Sequence, residues 1–307
     1  MSDEALSELR TVRDLLRYAV SRFNAAHLAY GQGATTAVDE ACFLILETLH
    51  LPIDDINPFA DAVLLPSERR LLLARIEERV ATRRPAAYIT GRAYIQGVPF
   101  HVDERVIVPR SYLGEMLATG RVDELAESLP EVSRILDLCT GSGCLAVLAA
   151  RAFPHAEVDA VDRSKDALAV ARRNVEDAGM ADRIRLVEGD LFAPLAGRRY
   201  DLILSNPPYV SAAAMAELPP EFRHEPAMAL AGGDDGLDLV RRILAEAPHH
   251  LGEAAALLCE IGTGRDVLER DFPDLDFLWL DSAESEGEVF WLEAASFGRA
   301  ARRTARR

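Results

Sequence analysis

The sequence predicts an α/β protein: a small helical domain, a β-hairpin, then a mostly parallel sheet that ends in an antiparallel pair. Three observations carry this. Apolar residues up to residue 87 repeat at helical spacing. Beyond residue 113, short apolar runs alternate with helical stretches, the pattern of strands joined by crossover helices. Finally, 277–280 and 289–292 read as strands only eight residues apart, too few for a helical crossover. At 307 residues and 49% hydrophobic, the chain can fill two cores, which excludes a collagen or a disordered polymer.

Each element follows from its residues. Leu9, Val12, Leu15, Leu16, Ala19 and Phe23 form one apolar helical stripe. Asp39 is placed to cap a second helix through Ala41, Phe43, Leu44, Leu46 and Leu49, ending near Pro52. A third starts at Ser67, with Glu68 in its first turn and Leu71, Leu72, Ile76 and Val80 on one side. This domain, 1–87, carries no reactive constellation and is expected to recognise substrate. Residues 88–112 are a hairpin linker, with Tyr94, Ile95 and Phe100 around Gly97-Val98-Pro99. The main domain, 113–297, has strands at 135–138, 158–161, 184–187, 202–205 and 255–260. Within it Ser164 caps a helix that Gly179 closes.

The net charge of −16 disfavours broad binding to nucleic-acid phosphates and favours a cationic partner. Residues 298–307 run against it, with Arg299, Arg302, Arg303, Arg306 and Arg307 and no acid. This basic tail reads as a frayed, solvated end; a hook for RNA phosphates is the alternative. The four cysteines, Cys42, Cys139, Cys144 and Cys259, form no C-x-x-C pair, and no metal site is expected. The acidic start, Met1-Ser2-Asp3-Glu4, is unlike a basic leader, and no apolar run approaches the ~18 residues of a membrane span. The expectation is a cytoplasmic protein with no membrane partner.

Asp137-Leu138-Cys139-Thr140-Gly141-Ser142-Gly143 runs from a strand into a helix. Its glycines let a ligand approach the backbone, while helix N–H groups point at an anion. No lysine follows, which excludes the triphosphate-binding P-loop. Asp162, ending the next strand, can accept from two ribose hydroxyls. Asp190 can accept from an adenine amine, with Leu191 or Phe192 covering the ring; Gly189-Asp190 alone reads equally as a turn. Asn206-Pro207-Pro208-Tyr209 follows the fourth strand. A planar amide or aromatic amine is a poor nucleophile, so alkylating it calls for acceptors on both N–H protons. The Asn206 side-chain oxygen and the Pro207 carbonyl can supply them, Pro207-Pro208 stiffens the backbone, and Tyr209 can stack on the planar group.

In this order, the elements over about 113–295 resemble the class I S-adenosylmethionine-dependent methyltransferases. Adding Val108-Pro109-Arg110-Ser111, Phe222-Arg223-His224-Glu225-Pro226 and the 229–237 segment, the chain resembles the protein-glutamine N(5)-methyltransferases. The resemblance implies S-adenosylmethionine as cofactor, held by Asp137, Thr140, Gly141, Ser142, Gly143, Asp162, Asp190, Leu191, Phe192 and Asn206. It implies a catalytic Asn206, Pro207 and Tyr209, with Pro208, Arg110, His224 and Glu225 also facing substrate. Arg110 has a second reading, as a bridge from hairpin to sheet. The substrate is either a translation release factor or the third large-subunit ribosomal protein. Arg223-His224-Glu225-Pro226, Asn24-Ala25-Ala26 and Tyr30-Gly31 look more like the ribosomal-protein branch. Tyr112 departs from it, since proline is more usual there. A basic ribosomal protein, free or in early assembly, suits the acidic body. A nucleic-acid adenine methyltransferase shares the tetrapeptide but would want a basic groove. A nicotinamide oxidoreductase shares the glycine loop but not the final antiparallel pair, and a non-catalytic binding module is the third class.

Overall fold

The computed structural model describes residues 3–282 and 286–304. The first apolar stripe is two helices, α1 (Asp3–Glu8) and α2 (Val12–Ala25). Thr11 breaks the run: its hydroxyl accepts the Asp14 N–H while Asp14 accepts the Thr11 N–H, a reciprocal cap. Helix α3 (Ala37–Thr48) is capped by Thr36. Asp39, the expected cap, lies one turn in, where its charge suits the helix dipole. Helices α4 (Pro66–Thr82) and α5 (Ala86–Thr90) complete the unit, around Leu15, Phe23, Leu44, Leu72 and Ile76.

Strands β1 (Arg92–Ile95) and β2 (Val98–His101) form the hairpin, with Gln96 and Gly97 both at positive φ in the turn. Helices α6 (Tyr112–Ala118) and α7 (Arg121–Ala126) lead into the sheet. Its strands are β3 (Arg134–Leu138), β4 (Glu157–Asp162), β5 (Ile184–Glu188), β6 (Tyr200–Ser205), β7 (Leu251–Glu260), β8 (Leu278–Leu280) and β9 (Val289–Glu293). They lie in the order β5-β4-β3-β6-β7-β9-β8. β3 to β7 pair in parallel, and β9 is antiparallel to both neighbours. The short gap after β8 forces that reversal, and the result is the class I methyltransferase arrangement.

Helix α8 (Cys144–Ala152) follows β3, α9 (Lys165–Asp177) follows β4, α10 (Ala212–Glu217) and α11 (Asp238–His250) follow β6, and α12 (Arg265–Asp271) follows β7. Strand alternation splits the core. Ile135, Val158, Leu202 and Leu258 pack with Leu113, Met116 and Leu148 on one face. Leu136, Val161, Ile203 and Leu257 pack with Val240, Ile243 and Leu244 on the other. Among the described residues the chain continues past residue 297 as a helix, α13 (Ala294–Thr304), and Arg299 pairs with Asp276 at 2.9 Å. Arg306 and Arg307 lie outside the described residues.

Register brings the strand ends together. Leu138 faces Val161 and Ser205, Asp162 faces Glu188, and Ser205 faces Cys259. The loops carrying the candidate residues therefore leave from one edge, where open α/β sheets hold ligands. Among the described residues no helix is long and apolar enough to cross a membrane.

Candidate active site

The loop after β3 bends through Cys139, Gly141 and Gly143, all at positive φ. Gly143 is required by packing as well as conformation: a Cβ there would lie 3.1 Å from the Ala171 Cβ on α9. The hairpin braces the same loop. Buried Asn174 donates to the carbonyls of Ser142 (2.8 Å) and His101 (3.0 Å), and its side-chain oxygen accepts the His101 N–H at 2.7 Å. Thr140, Gly141 and Ser142 wall a cavity of about 340 Å³, within the usual range for small-molecule sites. Asp137 and Gly143 are not on that wall. Asp137 lies fully buried under the loop, where it accepts the Thr140 hydroxyl at 2.5 Å; its Oδ1 has no partner among the described residues. Burial lifts its pKa to about 7, and its contact with Thr140 from beneath, off the cavity wall, makes it a support for the loop.

Asp162 is on the wall. Its Oδ2 accepts the Gly141 N–H at 2.9 Å and its Oδ1 the Ser164 N–H at 2.8 Å. Burial raises its pKa, and the backbone N–H groups of Ser164, Gly141 and Arg163 oppose the rise, which leaves carboxylate acceptor capacity for a ligand. Asp190 and Leu191 also line the cavity, and Asp190 is forked by Arg242 of α11 at 2.9 and 3.2 Å. Phe192 is not a wall residue. It is buried, with its ring stacked on His250 at 4.6 Å, which leaves Leu191 to cover a flat ligand. This donor set fits S-adenosylmethionine: a carboxylate for ribose, an acid and an apolar side chain for adenine, and the polar Ser142 on the same wall.

Asn206 and Pro208 reach the wall; Pro207 and Tyr209 do not. The Asn206 side chain has no hydrogen-bond partner among the described residues, which leaves both ends of its amide open. Tyr209 donates its hydroxyl to Glu260 Oε1 at 2.9 Å, and its ring lies against the Gly262 backbone, where a Cβ would come within 2.9 Å. Stacking on an amide is thus limited to what remains of a partly exposed ring. The 229–237 segment backs the tetrapeptide. Val210 donates to the Leu230 carbonyl and Gly232 to the Val210 carbonyl, and a Cβ at Gly236 would lie 2.3 Å from the Tyr209 carbonyl oxygen. Three glycines within five residues are the local signal of that close approach.

Arg110 both bridges and lines the cavity. It forks Glu225 at 2.6 and 2.8 Å and lies 5.5 Å from the Phe222 ring centroid. Glu225 is buried, also accepts the Val108 N–H at 2.9 Å, and is not on the wall. His224 points to the helical unit instead, against the Thr82 carbonyl at 2.9 Å. Neither is brought to the cavity: their donors and acceptors are committed to holding the 219–226 segment. Two buried acids have no counterpart in the sequence reading. Glu221 accepts from Arg83 at 2.7 Å and from the Ala29 N–H at 3.0 Å, tying this segment to the helical unit beside the Arg79–Glu40 pair. Glu260, ending β7, accepts from Ser111 Oγ (2.7 Å), Tyr112 N (3.0 Å) and Tyr209. Tyr112 supplies an N–H that proline would lack.

Known proteins align with this chain over nearly its whole length. It is 56% identical over 293 residues to the ribosomal protein uL3 glutamine methyltransferase of Bradyrhizobium diazoefficiens, covering 94% of this chain and 92% of that one. A protein of the same name from Bordetella pertussis is 56% identical over 292 residues, covering 95% and 98%. That of Neisseria meningitidis serogroup B is 51% identical over 297 residues, covering 95% and 96%. The Methyltransferase small domain model matches residues 122–233. A solved methyltransferase from Pyrococcus furiosus is 16% identical with a TM-score of 0.47, covering 75% of this chain and 99% of that one. With half or more of its residues shared across nearly full-length alignments, the chain belongs to the ribosomal protein uL3 glutamine methyltransferase family.

Proposed function

We propose that this protein transfers a methyl group from S-adenosylmethionine to the side-chain amide nitrogen of a glutamine in ribosomal protein uL3. The observation that carries the reading is the unpartnered Asn206 amide on the wall of the same cavity as Asp162 and the glycine loop. The relatives' names supply the substrate.

When bound, S-adenosylmethionine supplies an electrophilic methyl group on a sulfonium. Asp162 would hold the ribose hydroxyls, Asp190 and Leu191 the adenine, and Ser142, on the same wall, would meet the carboxylate end. The Asn206 oxygen and the Pro207 carbonyl would accept hydrogen bonds from the two N–H groups of the glutamine amide and aim its nitrogen at the methyl; one N–H proton would leave to solvent as the N–methyl bond forms and the methyl–sulfur bond breaks. Tyr209 would pack beside that plane, and Arg110, at the cavity rim, would meet the substrate backbone. Positioning of this kind can supply ~7–11 kcal/mol of a barrier.

The net charge of −16 favours a basic ribosomal protein before RNA covers it, which supports a reading in which free uL3 or an early assembly intermediate, in the cytoplasm, is the substrate. In rate measurements, methylation of free uL3 should fall steeply with added salt, and intact large subunits should be poor substrates. Comparable rates on intact subunits would overturn this part of the reading.

A further inference from the structure

Glu260 is 1% exposed, at the carboxyl end of an apolar strand, where a carboxylate is costly unless its lone pairs are filled. Here three donors distant from it in sequence meet them. Ser111 Oγ and the Tyr112 N–H meet Oε2 at 2.7 and 3.0 Å, and the Tyr209 hydroxyl meets Oε1 at 2.9 Å. One buried side chain therefore joins the linker that carries Arg110 to the last residue of the reactive tetrapeptide. Tyr209 has few alternatives. Its ring is pressed on the Gly262 backbone, and its own backbone is enclosed by Gly232 and Gly236. Its hydroxyl contact with Glu260 sets where the ring comes to rest.

We propose that Glu260 is a positioning residue of the methyl transfer, fixing the Tyr209 ring and the 110–112 linker in one register around the target amide. The inference rests on the proposed glutamine methylation for its kinetic consequence, and on geometry alone for its structural one. Glu260→Gln keeps the shape but turns an N–H₂ group toward donors, so one of the three contacts must break or rotate. Displacement of an acceptor loop by up to about an ångström can lower kcat by about tenfold to a hundredfold.

The test compares Glu260→Gln, Tyr209→Phe and the double variant on uL3, with S-adenosylhomocysteine affinity and amide hydrogen exchange at residues 111–113 and 209–212. Expected are faster exchange confined to these two segments in Glu260→Gln, a kcat loss of about tenfold or more with cofactor affinity within about twofold, and a double variant no slower than the slower single one. Unchanged exchange, unchanged kcat, or losses that multiply in the double variant would each overturn the proposal. If the wild-type protein methylates no glutamine of uL3, the functional reading fails, and the exchange arm still decides whether Glu260 holds the loop.

Discussion

Replacing Arg110 by alanine separates its two roles, bridge and cavity rim. In the intact protein Glu225 has a fully buried side chain that accepts both arms of the Arg110 fork, at 2.6 and 2.8 Å, and the Val108 N–H at 2.9 Å. Without the guanidinium, one backbone donor is left for a buried charge. Breaking a buried ion pair from one side costs ~3–5 kcal/mol. The Arg110 side chain is 29% exposed, so water can partly replace it, and the lower figure of about 3 kcal/mol applies. At roughly 2 °C per kcal/mol for a chain of this size, Tm should fall by about 6 °C. Glu225→Gln removes the charge and keeps an acceptor, for a loss nearer 1–2 kcal/mol by the usual cost of a weakened hydrogen bond. In Arg110→Ala/Glu225→Gln the stranded charge is gone, so the double variant should be no less stable than Arg110→Ala alone. Urea unfolding of the four proteins gives the coupling directly. An Arg110→Ala loss below about 1 kcal/mol, or strictly additive losses, would refute the bridge and leave Arg110 as a rim residue only.

Two other predictions concern the loops behind the cavity. Asp137 keeps its proton to about pH 7 in the fold, whereas an unfolded aspartate releases it near 3.8. The folded state thus binds the extra proton between these values, and the Asp137 contribution to stability falls as pH rises from about 4 to 7, by at most ~1.4 kcal/mol per unit. In pH-resolved unfolding, Asp137→Asn should remove this slope; a slope unchanged in the variant would contradict it. Gly236→Ala places a Cβ 2.3 Å from a carbonyl oxygen at φ +88 and should cost ~2–3 kcal/mol and depress turnover, while Gly252→Ala, with its nearest neighbour at 3.6 Å, should change little.

What the sequence revealed were features set by neighbours along the chain. The strands after residue 134 stand out because apolar runs end in turn residues, and the Ser164 cap is visible because the hydroxyl and the Ala167 N–H it accepts are three residues apart. Caps could also mislead. Thr36 and Asp39 are both capping types, and only geometry shows that the hydroxyl holds the Asp39 N–H. The roles of Glu260, Glu221 and Glu225 were hidden because each depends on donors more than a hundred residues away or split among several segments. No local pattern distinguishes such an acid from a surface one. His224 and Glu225 were read as substrate contacts because they sit in a family motif, whereas their side chains brace the segment that carries it.

The central claim is tested most directly by mass spectrometry of purified uL3 after incubation with labelled S-adenosylmethionine, using wild-type protein and Asn206→Ala. The account predicts one methyl group on a single glutamine side-chain nitrogen with the wild-type protein. It predicts none with Asn206→Ala, even though that variant retains S-adenosylhomocysteine affinity within about threefold, because the lost amide holds substrate more than cofactor. A methyl group on another residue type, or full transfer by Asn206→Ala, would contradict it.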